Sequence, residues 1–329
     1  MALQLYNPFK EISFQDNKCF LSGEETSDKM SVFPEWLMQK YKFAEDEFEM
    51  MDKMQKVLYQ DLQLPCSALV KEAFEKLDSE VELVFNKGYE AMLALESLKL
   101  FQWIGRIIYG VLYYELTLER KRHEKYHKEF GLSPLLKERF GVFHLMMQSI
   151  IYPVYIKDAE VLPWTIKVLR HKFSTDIFSY RDDAINLIFN LRVQNFGIIA
   201  CLQDNGAILN KEQELLDTIG EATLHPIQFE ELYARFHYSN YLQQYKPNYR
   251  IEQKENEIWI EALPVVADEA RPIFGFWDED MFAQVLANYW DVYGFQKNDI
   301  YRYPQPIKSY LTKAYTGDFI LPESIKLPF

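Results

Sequence analysis

The chain has no histidine before residue 123, three cysteines (Cys19, Cys66, Cys201) and only 12 glycines in 329 residues. Each shortage removes a class of chemistry. Without an early histidine, the N-terminal third offers no imidazole base and no imidazole metal ligand. Three cysteines do not make a disulfide scaffold, and their scarcity suggests a reducing, cytoplasmic compartment. The few glycines, with no Walker-type loop among them, argue against a Gly-rich phosphate cradle. No G-x-S-x-G elbow is present either, so that serine-nucleophile signature is missing.

Positive charge is also short. Lys and Arg number 36 against 49 Asp and Glu, a net charge of −13. Nucleic-acid binders draw much of their affinity from neutralising phosphates. A chain this acidic repels a polyanion at long range, so nucleic acid is not an expected partner. Long apolar runs are absent as well. The most apolar stretch, residues 98–118, is interrupted by Lys99, Arg106 and Glu115. A spanning helix needs about 20 apolar residues, so this stretch reads as a helix buried in a protein core. The opening "MALQLYNPFKE" has no basic region followed by an apolar one, and no signal peptide is expected.

What the chain has in abundance is rings. With 24 Phe, 22 Tyr and 6 Trp, 16% of the residues are aromatic, and the core must rest on ring packing. The length suggests two parts. Residues 1–67 read as a small irregular unit, with seven Lys against twelve Asp and Glu. Residues 68–329 read as a larger α+β domain. Its first half is helical: apolar residues recur every three and four from Ser67, a plausible N-cap, through a solvated stretch ending near Gly131. A further helix runs from Ser133 to Pro153. "WTIKVLRHKF" (164–173) reads as a strand. A hairpin is expected near 184–203, with Ile185, Leu187, Phe189, Leu191 and Val193 on its apolar face and Asn190 and Arg192 toward solvent. Helices return over 210–245. A second hairpin is expected near 249–263, a late helix near 278–294, and then a Pro-spaced tail.

Three segments of the first unit carry a resemblance. "CFLSG" (19–23) has a Cys and a tight turn, "KMSVFPEWL" (29–37) has an apolar element around Pro34 and Trp36, and "LPCSALVKEAF" (64–74) has a second Cys. Together they resemble the zinc-stapled HNH endonuclease-like (ββα-metal) unit at the N-terminus of a group of uncharacterised bacterial proteins. The resemblance continues through "LFQWIGRIIYGVLYYEL" and "NFGIIACLQDNGA". It implies two Cys-x-x-Cys pairs around zinc and a histidine that activates water. Here Cys19 stands with Ser22 where the second Cys belongs. Ser31 stands where the histidine belongs, and Cys66 has no partner at Leu69 or Val70. Four thiolates are needed and two remain, so the unit is expected to be degenerate, with no metal, no cofactor and no catalytic residue. Phe20, Phe33, Trp36 and Leu37 are expected to fill the metal's place, with Cys19 and Cys66 as small buried hydrophobes.

Other candidate chemistry is sparse. "HEKYH" (His123–His127) fits the H-E-x-x-H zinc pattern, but five Lys or Arg crowd residues 119–128. It is expected to be a solvated helix end whose cations suit the helix dipole. His144 and Gln148 share one face of an apolar helix, and Arg106 lies inside another. The three either line a polar pocket or are hydrogen-bonded core positions. "QDNG" (203–206) is turn chemistry, and Cys201 reads as an inert buried thiol.

Three functions stay open: a non-catalytic structural or interaction protein, with a protein partner or a homo-oligomer; a nucleic-acid-associated HNH-type protein that lost catalysis; and a hydrolase with a pocket near His144 and Arg106. If Cys19 and Cys66 are halves of one former site, their sulfurs should lie on the order of 4 to 8 Å apart, and more than about 12 Å would break the resemblance.

Overall fold

The computed structural model describes residues 4–51, 55–172, 178–267 and 271–327. The outermost residues of the two expected parts (1–3 and 328–329), and Phe173 at the end of the expected strand, lie outside them.

The chain opens with a one-turn helix, α1 (Pro8–Glu11), capped by the Asn7 side chain on Phe9 N. Strand β1 (Lys29–Ser31) follows, then α2 (Glu35–Tyr41), which starts directly after Pro34. A small antiparallel pair, β2 (Glu47–Glu49) and β3 (Lys56–Leu58), leads to β4 (Gln63–Pro65). β4 returns to pair antiparallel with β1, Met30 opposite Leu64. α3 (Ala68–Lys87) leaves β4 immediately. α4 (Tyr89–Leu93) is a short turn of helix, and α5 (Ser97–Lys125) is the longest element. Its residues from Leu100 to Tyr113 are all buried. A helix covered on every side is a core helix, as the interrupted apolar run implied. Among the described residues no helix is long and apolar enough to cross a membrane.

α6 (Pro134–Met147) is capped by Ser133 and begins on a proline, which suits a first turn. β5 (Val154–Ile156) and β6 (Thr165–Arg170) follow. Then come β7 (Phe178–Asp183), β8 (Ile188–Val193) and β9 (Phe196–Cys201), the last two joined across Gln194 and Asn195. α7 (Ala207–Ile219) and α8 (Pro226–Leu242) are the expected helices. β10 (Asn248–Lys254) and β11 (Glu257–Leu263) form the second hairpin. α9 (Glu279–Trp290), capped by Asp278, and the short α10 (Lys297–Ile300) complete the order.

The fold is α+β, with two compact units. The first holds residues 1–87, 94–159 and 249–261. The second holds 88–93, 160–248 and 262–329. The expected boundary at 67 is therefore not where the chain divides. Residues 1–67 form no body of their own, because Phe9, Phe14 and Phe20 pack their rings on Tyr109 and Tyr113 of α5. In the same unit β11 runs parallel to β5, Ile258 opposite Val154.

The second unit carries a four-stranded antiparallel sheet in the order β6-β9-β8-β7. β8 and β9 are buried along their whole length. α7 and α8 pack on one face through Ile188, Ile199, Ile208, Leu216, Phe229 and Phe236.

Local expectations needed correction in four places. The helical stretch expected to run to about Gly131 breaks into α3, α4 and α5, and α5 ends at Lys125. The helix expected to reach Pro153 ends at Met147, followed by one 3-10 turn. The first hairpin starts at Ile188, because Leu187 takes a left-handed φ of 58°. Asn190 and Arg192 do not face solvent: they are 1% and 3% exposed. Alternation read one face of β8 as apolar, but the other face is covered too, by α8 with its own carboxylate, Glu230.

Gly197 of β9 is a close-approach position. A Cβ there would sit 2.3 Å from Phe229 Cζ and 3.1 Å from the Leu191 carbonyl oxygen. Neither a packed ring nor a strand backbone yields easily. Gly197→Ala should lower stability by about 1–3 kcal/mol in urea denaturation, and an unchanged midpoint would show that α8 is not seated on this strand as described.

Candidate functional site

The three segments of the resemblance converge in the first unit. Phe20 N donates to the Pro65 carbonyl at 2.9 Å, which lays the 19–23 turn against the end of β4. Cys66 N donates to the Asp28 carbonyl at 2.9 Å, and Cys19 N to that of Glu24 at 2.8 Å. Gly23 closes the turn with a φ of 74°, and the Tyr6 ring occupies the space a Cβ would need. These bonds bring the fully buried Cys19 and Cys66 together, each thiol within reach of the other's charge. Ser22 N approaches Cys19 Sγ at 3.5 Å. Ser22 Oγ and Ser67 Oγ are 3.2 Å apart. The Cys66 thiol also contacts Met30 Sδ at 3.2 Å.

The two sulfurs are electrostatically unlike. The Cys66 S–H holds the Cys19 thiol below its usual range, helped by Ser22 and by the Ser67 backbone N–H at the start of α3. The same pairing, together with burial, pushes the Cys66 thiol up.

The donor set here does not fit structural zinc. It comprises two thiols and two hydroxyls, and Leu69, at the position of the missing partner, is 48% exposed. Among the described residues no group of three or more His, Cys, Asp or Glu is arranged to hold a metal ion. The neighbourhood is aromatic. Phe20 packs with Phe74, Tyr109 and Tyr113. Phe33 packs with Phe43, Phe48 and Tyr59, and Trp36 with Phe85 and Trp103. Ser31, where a histidine was implied, is buried in β1 and lends its carbonyl to Arg106 Nη2 at 2.8 Å.

Arg106, His144 and Gln148 do not make one pocket. Arg106 pairs with Asp78 of α3 and lies 5.4 Å from the centre of the Phe74 ring. It borders a cavity of about 380 Å³ with Lys29, Ser31, Trp36 and Lys71. Neither His144 nor Gln148 lines that cavity. His144 is fully buried, and both its ring nitrogens are engaged. The Tyr109 hydroxyl donates to Nδ1 at 2.7 Å, and Nε2–H donates to the Tyr6 carbonyl at 3.0 Å. Gln148 Nε2 donates to the carbonyls of Tyr6 (3.0 Å) and Leu21 (2.9 Å). The pair is a clamp that fastens the N-terminal segment to α6. Burial pushes the His144 imidazole down to about 3.

The remaining candidates settle on structural roles. His123 keeps Nδ1 near Glu119, at 3.0 Å from its carbonyl, and His127 lies exposed beyond the end of α5 with a φ of 52°. The two imidazoles of "HEKYH" therefore share no helical face. Cys201 is buried at the end of β9. "QDNG" is a turn but a buried one. Asp204 Oδ2 accepts from Thr165 Oγ1 (2.6 Å) and from Ile208 N at the start of α7 (3.0 Å).

Several partners were not anticipated. Asp78 was legible in principle: it lies on the stripe Phe74, Leu77, Val81 of an amphipathic helix, a lone carboxylate available to the lone guanidinium of α5. Glu230 beside Arg192 (3.5 Å) and Asp183 beside His237 (3.5 Å) join distant elements, and no local pattern announces them. No family model, curated protein or solved structure matches the chain.

Two expectations follow. Asp78→Ala leaves Arg106 charged and unpaired and should cost about 3–5 kcal/mol, while Asp78→Leu combined with Arg106→Met should recover most of that loss. Equal losses in the single and double variants would refute a paired interior. For His144, the unfolded chain takes up a proton below about pH 6.5 that the folded chain refuses until about 3. Its contribution is therefore present above 6.5 and falls with acidification, by up to about 1.4 kcal/mol per pH unit. The stability gap between the natural chain and His144→Gln should shrink between about pH 7 and pH 4, and a gap independent of pH would contradict a neutral buried imidazole.

Proposed function

We propose that this chain is a non-catalytic structural or interaction protein whose N-terminal segments are a metal-free remnant of an HNH-like unit. The observation that carries the reading is the meeting of Cys19 with Cys66. Residues 47 positions apart, each implied to be half of a zinc staple, lie within reach of one another's charge, with the Ser22 and Ser67 hydroxyls beside them. The antiparallel pair β1–β4, which encloses α2, β2 and β3 in sequence, runs directly into α3. Ser31 in place of the base, and a donor set unfit for zinc, account for a fold kept without its chemistry.

The three cysteines are all free thiols, which agrees with a reducing, cytoplasmic setting. A protein partner or a second copy of the chain is the interaction this reading expects. A nucleic-acid role without cleavage is disfavoured by the charge of −13. A hydrolase built on His144 and Arg106 is disfavoured by their separate partners.

The test is to incubate the full chain with duplex DNA at physiological salt, with magnesium or manganese present, and to measure zinc in the purified protein. No cleavage, no salt-dependent affinity tighter than about 10⁻⁴ to 10⁻⁶ M and far less than one zinc per chain are expected. Strand scission, micromolar binding or stoichiometric zinc would each refute the reading.

A further inference from the structure

We propose that Cys19 and Cys66 are a reversible oxidation site, converted by hydrogen peroxide into an intramolecular disulfide. The inference goes beyond the proposed function and does not depend on it, since DNA cleavage would sink that reading and leave this one standing.

The geometry comes first. Each thiol lies within reach of the other's charge, and the residues beside them are bonded, Ser22 Oγ to Ser67 Oγ at 3.2 Å. The Phe20–Pro65 backbone bond, 2.9 Å long, sits beside them and fixes the two chain segments in register. A disulfide needs an S–S bond of about 2.05 Å, so the side chains must close on one another. Cys201, the third thiol, lies in β9 of the other unit.

The chemistry of the two positions differs in the sense a sensor pair requires. Cys19 receives Ser22 N at 3.5 Å and lies at the N-terminus of the 20-residue α3, where backbone N–H groups and the helix dipole favour a thiolate. Cys66 stays protonated beside it, with Met30 Sδ as a further contact for its S–H. A nucleophilic thiol beside a resolving one is the arrangement that gives disulfides rather than over-oxidation. Both sulfurs are buried next to a turn that reaches the surface: Ser22 is 8% exposed, and Glu24 and Glu25 are exposed. Peroxide, little larger than water, enters when the structure around that turn opens.

The steps balance as follows. The Cys19 thiolate attacks one peroxide oxygen. An S–O bond forms, the O–O bond breaks, and hydroxide leaves and takes up a proton to become water. The Cys66 sulfur, giving up its proton, attacks the Cys19 sulfenic sulfur. The S–S bond forms, the S–O bond breaks, and a second water departs. Two thiols are oxidised by two electrons and one peroxide is reduced to two waters.

The experiment treats the folded full-length chain with hydrogen peroxide and, in a parallel arm, with diamide. The chain is then unfolded, its free thiols are alkylated, and peptides are mapped without reduction. Free thiols should fall from the three of the sequence to one, carried by Cys201, with a Cys19–Cys66 cross-linked peptide that dithiothreitol removes. In Cys66→Ser the resolving thiol is gone, so peroxide should leave a Cys19 sulfenic acid that a cyclic 1,3-dione captures. Where that variant fails to fold, the natural chain decides alone. Three thiols persisting in both arms would overturn the proposal, as would cross-links to Cys201 or between chains, or Cys19 passing to sulfinic acid without a disulfide.

Discussion

A guanidinium held away from water constrains the first unit more than any other single group. Arg106 sits in the stretch Leu100–Tyr113 of α5, which is buried on all sides. Its charge cannot be left bare there, because an unpaired ion in a dry interior costs several kcal/mol. Its partners come from two directions: Asp78 from α3 and the Ser31 carbonyl from β1, with the Phe74 ring beside its plane. Satisfying one side chain therefore sets α3, α5 and β1 relative to each other. β4 pairs with β1 and runs into α3, so the position of the cysteine at that junction follows from the same constraint.

Around that frame the N-terminal segment is fastened by polar groups spent on backbone carbonyls. His144 and Gln148 take hold of Tyr6, and Gln148 also of Leu21, which lies within the turn carrying Cys19. Aromatic rings fill what remains, and the tilted and edge-to-face contacts of Phe9, Phe14 and Phe20 with Tyr109 and Tyr113 make one continuous wall. The small elements of this unit are held by packing on a long helix.

The second unit solves a different problem. Its sheet is covered on the face where Asn190 and Arg192 point, and Glu230 of α8 supplies the countercharge at 3.5 Å from Arg192 Nε. Glu231, the next residue, turns to the tail instead, where its carboxylate accepts from Ser309 Oγ (2.6 Å) and Tyr310 N (2.7 Å). Burial pushes that carboxyl up despite these bonds. Neighbouring carboxylates on α8 thus fasten a strand and a C-terminal loop of the same unit.

The sequence by itself determined the class of fold, the buried nature of α5, both hairpins and most helices, because these follow from periodicity and turn chemistry within a few residues. What it did not reveal were the partners of buried polar groups. Arg106 and His144 look alike in sequence, each one polar residue in an apolar helix. Only tertiary structure showed that one meets a carboxylate and borders a cavity, while the other clamps a carbonyl 138 residues away. Asn190 and Arg192 read as solvent-facing because alternation describes a single strand and says nothing of what lies over it. The boundary at 67 failed for the same reason. Segment composition shows where elements change, but whether two segments share a core depends on which rings meet, and ring contacts between residues 9 and 109 leave no local trace.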